Sequence, residues 1–231
     1  MKFATIQIAG IHDLAEAQVL LSAGVDWLGF PLRLPVNRED LAEAEAARVI
    51  AALPDPGRAV LITYLRKADA IAAFAEALGT NRVQLHGDIS TAALRELRQR
   101  RPELYLMKSL VVGRDSSAAL LRRCQELSPF VDAFITDTHD PATGADGATG
   151  RVHDWSVSAA LVRHSPRPVM LAGGLTPLNV GDAIRRVRPH GVDAHTGVEG
   201  PDGRKTPERV AAFVRQAREA FAALPSLTPD S

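Results

Sequence analysis

The sequence predicts a single (β/α)8 barrel, and three observations carry that expectation. Short apolar runs alternate with helix-like segments from end to end, and eight such pairs can be counted. Alternation of this kind builds a parallel sheet with helices on its outside. No composition shift marks a domain boundary within the 231 residues, a length close to the roughly 250 typical of a closed barrel. No glycine fingerprint for a dinucleotide follows the first strand, which argues against an open doubly wound sheet. The barrel is expected over residues 1–223, with 224–231 as a frayed tail.

In order, Phe3 to Ile8 is a strand candidate, and Asp13 is a good N-cap for a helix through Leu21. Val25 to Phe30 is the next apolar run. A Pro- and Arg-bearing loop, Pro31 to Arg38, then leads to an alanine-rich helix from about Glu39 to Leu53. Arg58 to Tyr64 reads as a strand, and the helix Lys67 to Leu78 ends at Gly79. Arg82 to Leu85 stops at His86-Gly87, and helix Thr91 to Arg100, strand Leu104 to Lys108, helix Ser116 to Leu127 and strand Val131 to Thr136 follow. A Gly-, Ala- and Thr-rich loop, Thr138 to His153, precedes helix Trp155 to Arg163.

Pro168 to Glu199 then holds the most informative stretch. Val169 to Ala172 has the length of a fully buried strand. Gly173-Gly174 break it, and Thr176-Pro177 read as N-cap and first position of a helix carrying Val180, Ile184 and Val187. Val192-Asp193-Ala194 is the last strand and meets a second small-residue turn, Thr196-Gly197. Glycine turns running into a helix N-terminus suit a phosphate, because bare N–H groups and the helix dipole both favour an anion. Phosphate at the last two strand ends is also the usual place in barrels. Pro207 to Ala222 closes the chain with an amphipathic helix.

The bulk numbers exclude several classes. Lys plus Arg and Asp plus Glu both count 27, so no net positive charge points to nucleic acid. The apolar runs fall short of a membrane span, and the N-terminus has no secretory pattern. A cytoplasmic protein is expected. The lone cysteine, Cys124, reads as an inert half-buried residue. His139, His153 and His195 lack metal-ligand spacing, and neither a metal nor a cofactor is expected.

Active sites in barrels lie where strands end, which selects Gln7, Ala9, Arg33, Arg38, Gln84, His86, Lys108, Asp137 and the two glycine turns. Asp137 can serve as a general acid if its surroundings raise its pKa, or simply cap a turn. Arg38 can hold a substrate carboxylate in a bidentate pair, or be a solvated surface arginine. His86 is a ligand contact, a proton donor or a structural histidine. Lys108 can form a Schiff base or be charge-paired within the barrel.

Short motifs in a specific order carry a resemblance over nearly the whole chain. They are Gly10-Ile11, Gly29-Phe30, Val83 to Gly87, Thr136-Asp137-Thr138, Gly147 to Gly150 with Asp154-Trp155, Ala172 to Leu175 with Pro177 and Asn179-Val180, and Val192-Asp193 with Gly197-Val198-Glu199. The chain resembles the phosphoribosylanthranilate isomerase family. That resemblance implies a barrel that converts an aminoaldose phosphate to an aminoketose phosphate by an Amadori rearrangement without cofactor or metal. It implies Asp137 as the general acid that opens the ribose ring and Arg38 as the grip on the anthranilate carboxylate. Gly173, Gly174, Thr196 and Gly197 fall on the family's phosphate cup. Gln84 and His86 are expected ligand contacts from their place at a strand end, and His195 replaces a small residue of the family beside the phosphate turn, within reach of the ligand.

One departure stands out. The family begins with a Lys-x-Cys-Gly strand end whose cysteine is the general base, whereas this chain reads Gln7-Ile8-Ala9-Gly10. Ala9 has no titratable atom, so the base is open, with His12 and His195 as candidates. Thr206 stands where the family tends to carry an acid. Three functions are carried forward: an aldose–ketose isomerase acting on a phosphoribosylated amine, a lyase or epimerase sharing the same cup, and a non-catalytic binder of phosphorylated metabolites. The expected partner is a small phosphosugar, and the assembly a monomer or homodimer.

Overall fold

The computed structural model describes residues 4–35, 39–140, 145–146 and 154–225. Eight parallel strands form the barrel: β1 (Thr5–Ala9), β2 (Trp27–Leu32), β3 (Ala59–Thr63), β4 (Arg82–Leu85), β5 (Tyr105–Val112), β6 (Ala133–Asp140), β8 (Val169–Leu171) and β9 (Gly191–Ala194). Their order is β5-β4-β3-β2-β1-β9-β8-β6, and a β5–β6 pairing closes the ring. The two-residue β7 (Ala145–Asp146) pairs antiparallel with the far end of β6. Helices α1 (Leu14–Ser22), α2 (Glu43–Ala51), α3 (Ala68–Leu78), α4 (Thr91–Arg100), α5 (Ser117–Leu127), α6 (Trp155–His164), α7 (Val180–Val187) and α8 (Pro207–Ala223) cover the outside. Among the described residues no helix is long and apolar enough to cross a membrane.

Strand alternation explains how one sheet serves two cores. Ile6 and Ile8 of β1, Leu28 and Phe30 of β2 and Leu106 of β5 face outward into one large cluster with Leu20, Ile71, Leu94 and Phe213 of the helices. The other parity faces the lumen, where Met107, Ile135, Met170 and Ala172 form one cluster and Ala9, Val60 and Ile62 another. Ala9 therefore ends β1 on the inner face. Between these apolar layers Gln7 Nε2 donates to Gln84 Oε1 at 3.0 Å. Since β1 and β4 are not neighbours in the sheet, this bond crosses the lumen.

Boundaries differ from expectation where side chains take over. Both β5 and β6 run past their expected ends, because Leu110, Val111 and Val112 continue in register with Thr136, Asp137 and Thr138. β2 continues through Pro31 and Leu32, paired with Ile62 and Thr63. α2 begins at Glu43 rather than Glu39; the carboxylate of Glu39 accepts from the Arg33 N–H. α7 begins at Val180, not Pro177. Asn179 accepts from the Thr176 N–H at 2.8 Å and donates to the Gly174 carbonyl at 3.0 Å, which ties residues 174–179 into a braced turn.

Candidate functional site

The C-terminal strand ends gather most of the expected residues. Asp137 lies near the end of β6 at 7 % exposure, and its Oδ1 accepts from the Thr138 N–H at 2.8 Å. Its Oδ2 lies 3.5 Å from His86 Nε2. The other ring nitrogen of His86, Nδ1, is 2.9 Å from Ser109 Oγ. A relay Asp137–His86–Ser109 thus spans the ends of β6, β4 and β5, and it fixes the imidazole by engaging both nitrogens. The Tyr64 ring packs on His86 with centroids 4.7 Å apart. Lys108 is buried, and its Nζ donates to the Ser109 carbonyl at 2.8 Å. Its position in β5 has the parity of Leu106 and Leu110, facing the helices. That placement favours the structural reading of Lys108 over a Schiff base.

Beside this relay opens a cavity of about 400 Å³, lined by Tyr64, Arg66, His86, Asp88, Lys108 and Arg114 among others. It adjoins the acid side of the mouth through His86 but does not include the glycine turns. Those follow β8, which pairs directly with β6, and β9, the next strand round the ring. Gly173 and Gly174 have φ of +100° and +63°, conformations that side-chain-bearing residues adopt only with strain. A Cβ on Gly197 would fall 1.9 Å from the Leu175 carbonyl oxygen. The two turns are therefore pressed together, with Asn179 bracing the first.

On the β1 side a second polar group surrounds Ala9. β1 and β9 pair Gln7 with Asp193 and Ile8 with Ala194. Continuing that register sets His195 beside Ala9. The His195 ring lies directly over Gly10, whose φ is +78°; a Cβ there would meet Nε2 at 2.1 Å. His195 Nε2 is 3.4 Å from Glu199 Oε1 and 3.7 Å from Asp40 Oδ2. Asp40 Oδ1 is in turn 3.8 Å from His12 Nε2, and His12 Nδ1 is 3.2 Å from Glu16 Oε2. Lys205, with a side chain only 1 % exposed, holds Glu199 at 2.7 Å. Burial pushes the Asp40 carboxyl up, but the facing His195, with Lys205 and His12 beyond, outweighs it and holds the pKa below the ordinary value. Among the described residues no group of three or more His, Cys, Asp or Glu side chains is placed to hold a metal ion.

Asp193 lies between the two groups. Burial first, and the negative charge of Asp137 second, push its carboxyl up to about 7. Its Oδ1 and the Oε1 of Gln7 are both buried without a hydrogen-bond partner. Two unpartnered acceptors in one lumen favour a proton on the carboxyl.

Of the sequence-derived candidates, Ala9, Gln84, His86, Asp137, Gly173, Gly174, His195, Thr196 and Gly197 all lie at this end of the barrel. Arg38 and Gly147 to Gly150 lie outside the described residues. Cys124 is fully buried in α5, and burial pushes its thiol up to about 12, which fits an inert residue. Sequence reasoning missed Asp40, Glu16, Glu199, Lys205 and Asp193 as site residues. The available signal was a carboxylate at a position of apolar parity, as with Glu16 on the buried face of α1 and Asp193 among the apolar residues of β9.

Comparison with known proteins agrees with this fold. A family model described as "N-(5'phosphoribosyl)anthranilate (PRA) isomerase" matches residues 6–216. The chain is 36 % identical over 218 residues to N-(5'-phosphoribosyl)anthranilate isomerase 2 of Methanosarcina mazei, covering 94 % of this chain and 95 % of that protein. The structure of phosphoribosyl anthranilate isomerase from Thermotoga maritima superposes with a TM-score of 0.78 at 28 % identity, over 94 % of this chain and 99 % of that one. A phosphoribosyl anthranilate isomerase in complex with reduced 1-(o-carboxyphenylamino)-1-deoxyribulose 5-phosphate gives a TM-score of 0.76 at 26 % identity, over 94 % and 99 %. With the model matching nearly the full barrel and the relative aligned from end to end, the chain belongs to the phosphoribosylanthranilate isomerase family.

Proposed function

We propose that the chain isomerises a phosphoribosylated aromatic amine, phosphoribosylanthranilate being the first candidate, with Asp137 as general acid. The observation that carries the reading is Asp137 on the lumen side of β6, backed by His86 and Ser109, with the glycine turns after the neighbouring strands β8 and β9. In that arrangement the phosphate rests on the turns after β8 and β9, where N–H groups favour an anion. Its sugar then extends towards Asp137. The acid gives its proton to the ring oxygen, the C1–O bond breaks with its pair going to that oxygen, and the nitrogen lone pair forms a C1–N double bond. Arg38 serves as the grip on the amine's carboxylate. Gln84, held by Gln7, lines the floor.

The test is turnover of freshly made phosphoribosylanthranilate by the purified protein, with Asp137→Asn alongside. Loss of a general acid costs about 10²–10⁴ in rate, and an Asp137→Asn variant of undiminished activity refutes this mechanism. A second reading, a binder without turnover, draws on one observation: Ala9 leaves β1 without a titratable group at its end. It predicts tight binding of the reduced product analogue and no reaction.

A further inference from the structure

Moving a hydrogen from C2 to C1 of an aldosylamine needs a base as well as an acid. Several titratable groups stand at the mouth, and their partners remove most of them. Both ring nitrogens of His86 are engaged, by Asp137 and Ser109. Both nitrogens of His12 face carboxylates, Glu16 and Asp40. Lys205 and Glu199 hold each other at 2.7 Å. Asp193 sits two residues deeper in the lumen than His195, with Oδ1 closed to solvent.

His195 differs from all of these. Its side chain is 20 % exposed, and two carboxylates face Nε2. Among the described residues no partner faces Nδ1. Carboxylates at one ring nitrogen keep the proton there and leave the lone pair on the other. The β1–β9 register, carried one residue past Ile8 and Ala194, brings this ring beside Ala9. The absence of a side chain at Gly10 gives it room to lie over the strand end.

We propose that His195 is the general base of this site, its imidazole seated on Gly10 beside Ala9 and oriented by Asp40 and Glu199 so that Nδ1 takes the proton from C2 of the ring-opened substrate. This rests on the isomerase reading above. The C2–H pair becomes the C1–C2 double bond, the C1–N π pair returns to nitrogen, and the proton moves to Nδ1. The imidazolium then returns a proton to C1 while the C2 hydroxyl loses its own, which replenishes Asp137. Both groups end as they began. Asp40 and Glu199 are positioning residues. His12 acts through Asp40, and Lys205 through Glu199, so the charges around the ring are two carboxylates, a second imidazole and an ammonium, with Asp193 below.

The decisive experiment compares kcat and KM for phosphoribosylanthranilate in wild type, His195→Gln, His195→Ser and Ala9→Cys/His195→Ser, with the fold of each checked by circular dichroism. Both single variants are expected to lose about 10²–10⁴ in kcat with KM little changed. A thiol restored at position 9 is expected to recover turnover. Asp40→Asn is expected to move the acidic limb of the kcat profile to lower pH, a response that a purely structural aspartate would not give. A folded His195→Gln variant with wild-type kcat overturns the inference and leaves the isomerase reading intact. Activity removed by a chelator and restored by zinc also overturns it, since the cluster would then be holding a metal. Wild type inactive while Ala9→Cys is active overturns it too. If neither protein turns over, the isomerase reading itself falls and takes the inference with it.

Discussion

Replacing Asp193 with asparagine tests whether the lumen holds a protonated carboxyl. The folded protein raises this group from 3.8 to about 7. At about 1.36 kcal/mol per unit, that shift corresponds to a penalty of about 4 kcal/mol once the group must ionise, an upper figure because Asp137 shares it. The sign follows from proton binding. Between the two pKa values the native state holds a proton that the unfolded chain has released. Stability therefore falls as pH rises from about 4 to about 7, and is level above that. The Asp193→Asn substitution removes this dependence and supplies an N–H for the unpartnered Gln7 Oε1. In a protein of this size a change of 1 kcal/mol moves Tm by about 2–4 °C. Thermal melts of Asp193→Asn should therefore exceed wild type by several degrees at about pH 8 and match it near pH 4. A variant less stable than wild type at about pH 8 would refute the reasoning, because it would mean that the carboxylate is charged and well solvated in the native state.

Three further outcomes are expected. Gly197→Ala places a methyl 1.9 Å from the Leu175 carbonyl oxygen, so the two turns must part; KM for the phosphorylated substrate should rise far more than kcat falls, read by steady-state kinetics. Glu16→Ala removes the acceptor of the His12 and Lys205 backbone N–H groups; each buried donor left unpaired costs about 1–3 kcal/mol, measurable by urea denaturation. Cys124, its thiol pushed up to about 12 by burial, should resist alkylation in the folded protein and react on unfolding, as followed by mass spectrometry.

How much of this was legible in the sequence varies by kind of interaction. Alternating apolar periodicity is local, so the strands and helices could be read with errors of a few residues. The largest misreadings had tertiary causes. The expected start of α2 failed because Glu39 is taken up by the Arg33 N–H and Asp40 by two histidines. The expected start of α7 failed because Asn179 spends both ends of its amide on the preceding turn. Barrel geometry fixes where strands end, so the placement of His86, Asp137 and the glycine turns at the mouth could be read from the strand pattern alone. The cluster around His195 could not. It draws Asp40 from the β2–α2 connection, Glu16 from a helix and Lys205 from the approach to α8, and only the β1–β9 register brings them together.

That register bears on how such a site can change over evolutionary time. In a closed ring every strand end is a similar pedestal, and adjacent pedestals stand one strand spacing apart, about 4.8 Å. A proton-accepting group can thus pass from one strand to its neighbour by two substitutions, while the acid and the anion cup stay where they are. The passage carries a condition at Gly10, where a side chain of any size would evict the imidazole. Variation at positions 10 and 195 should therefore be linked, and a library that randomises both should return histidine at 195 only with glycine at 10.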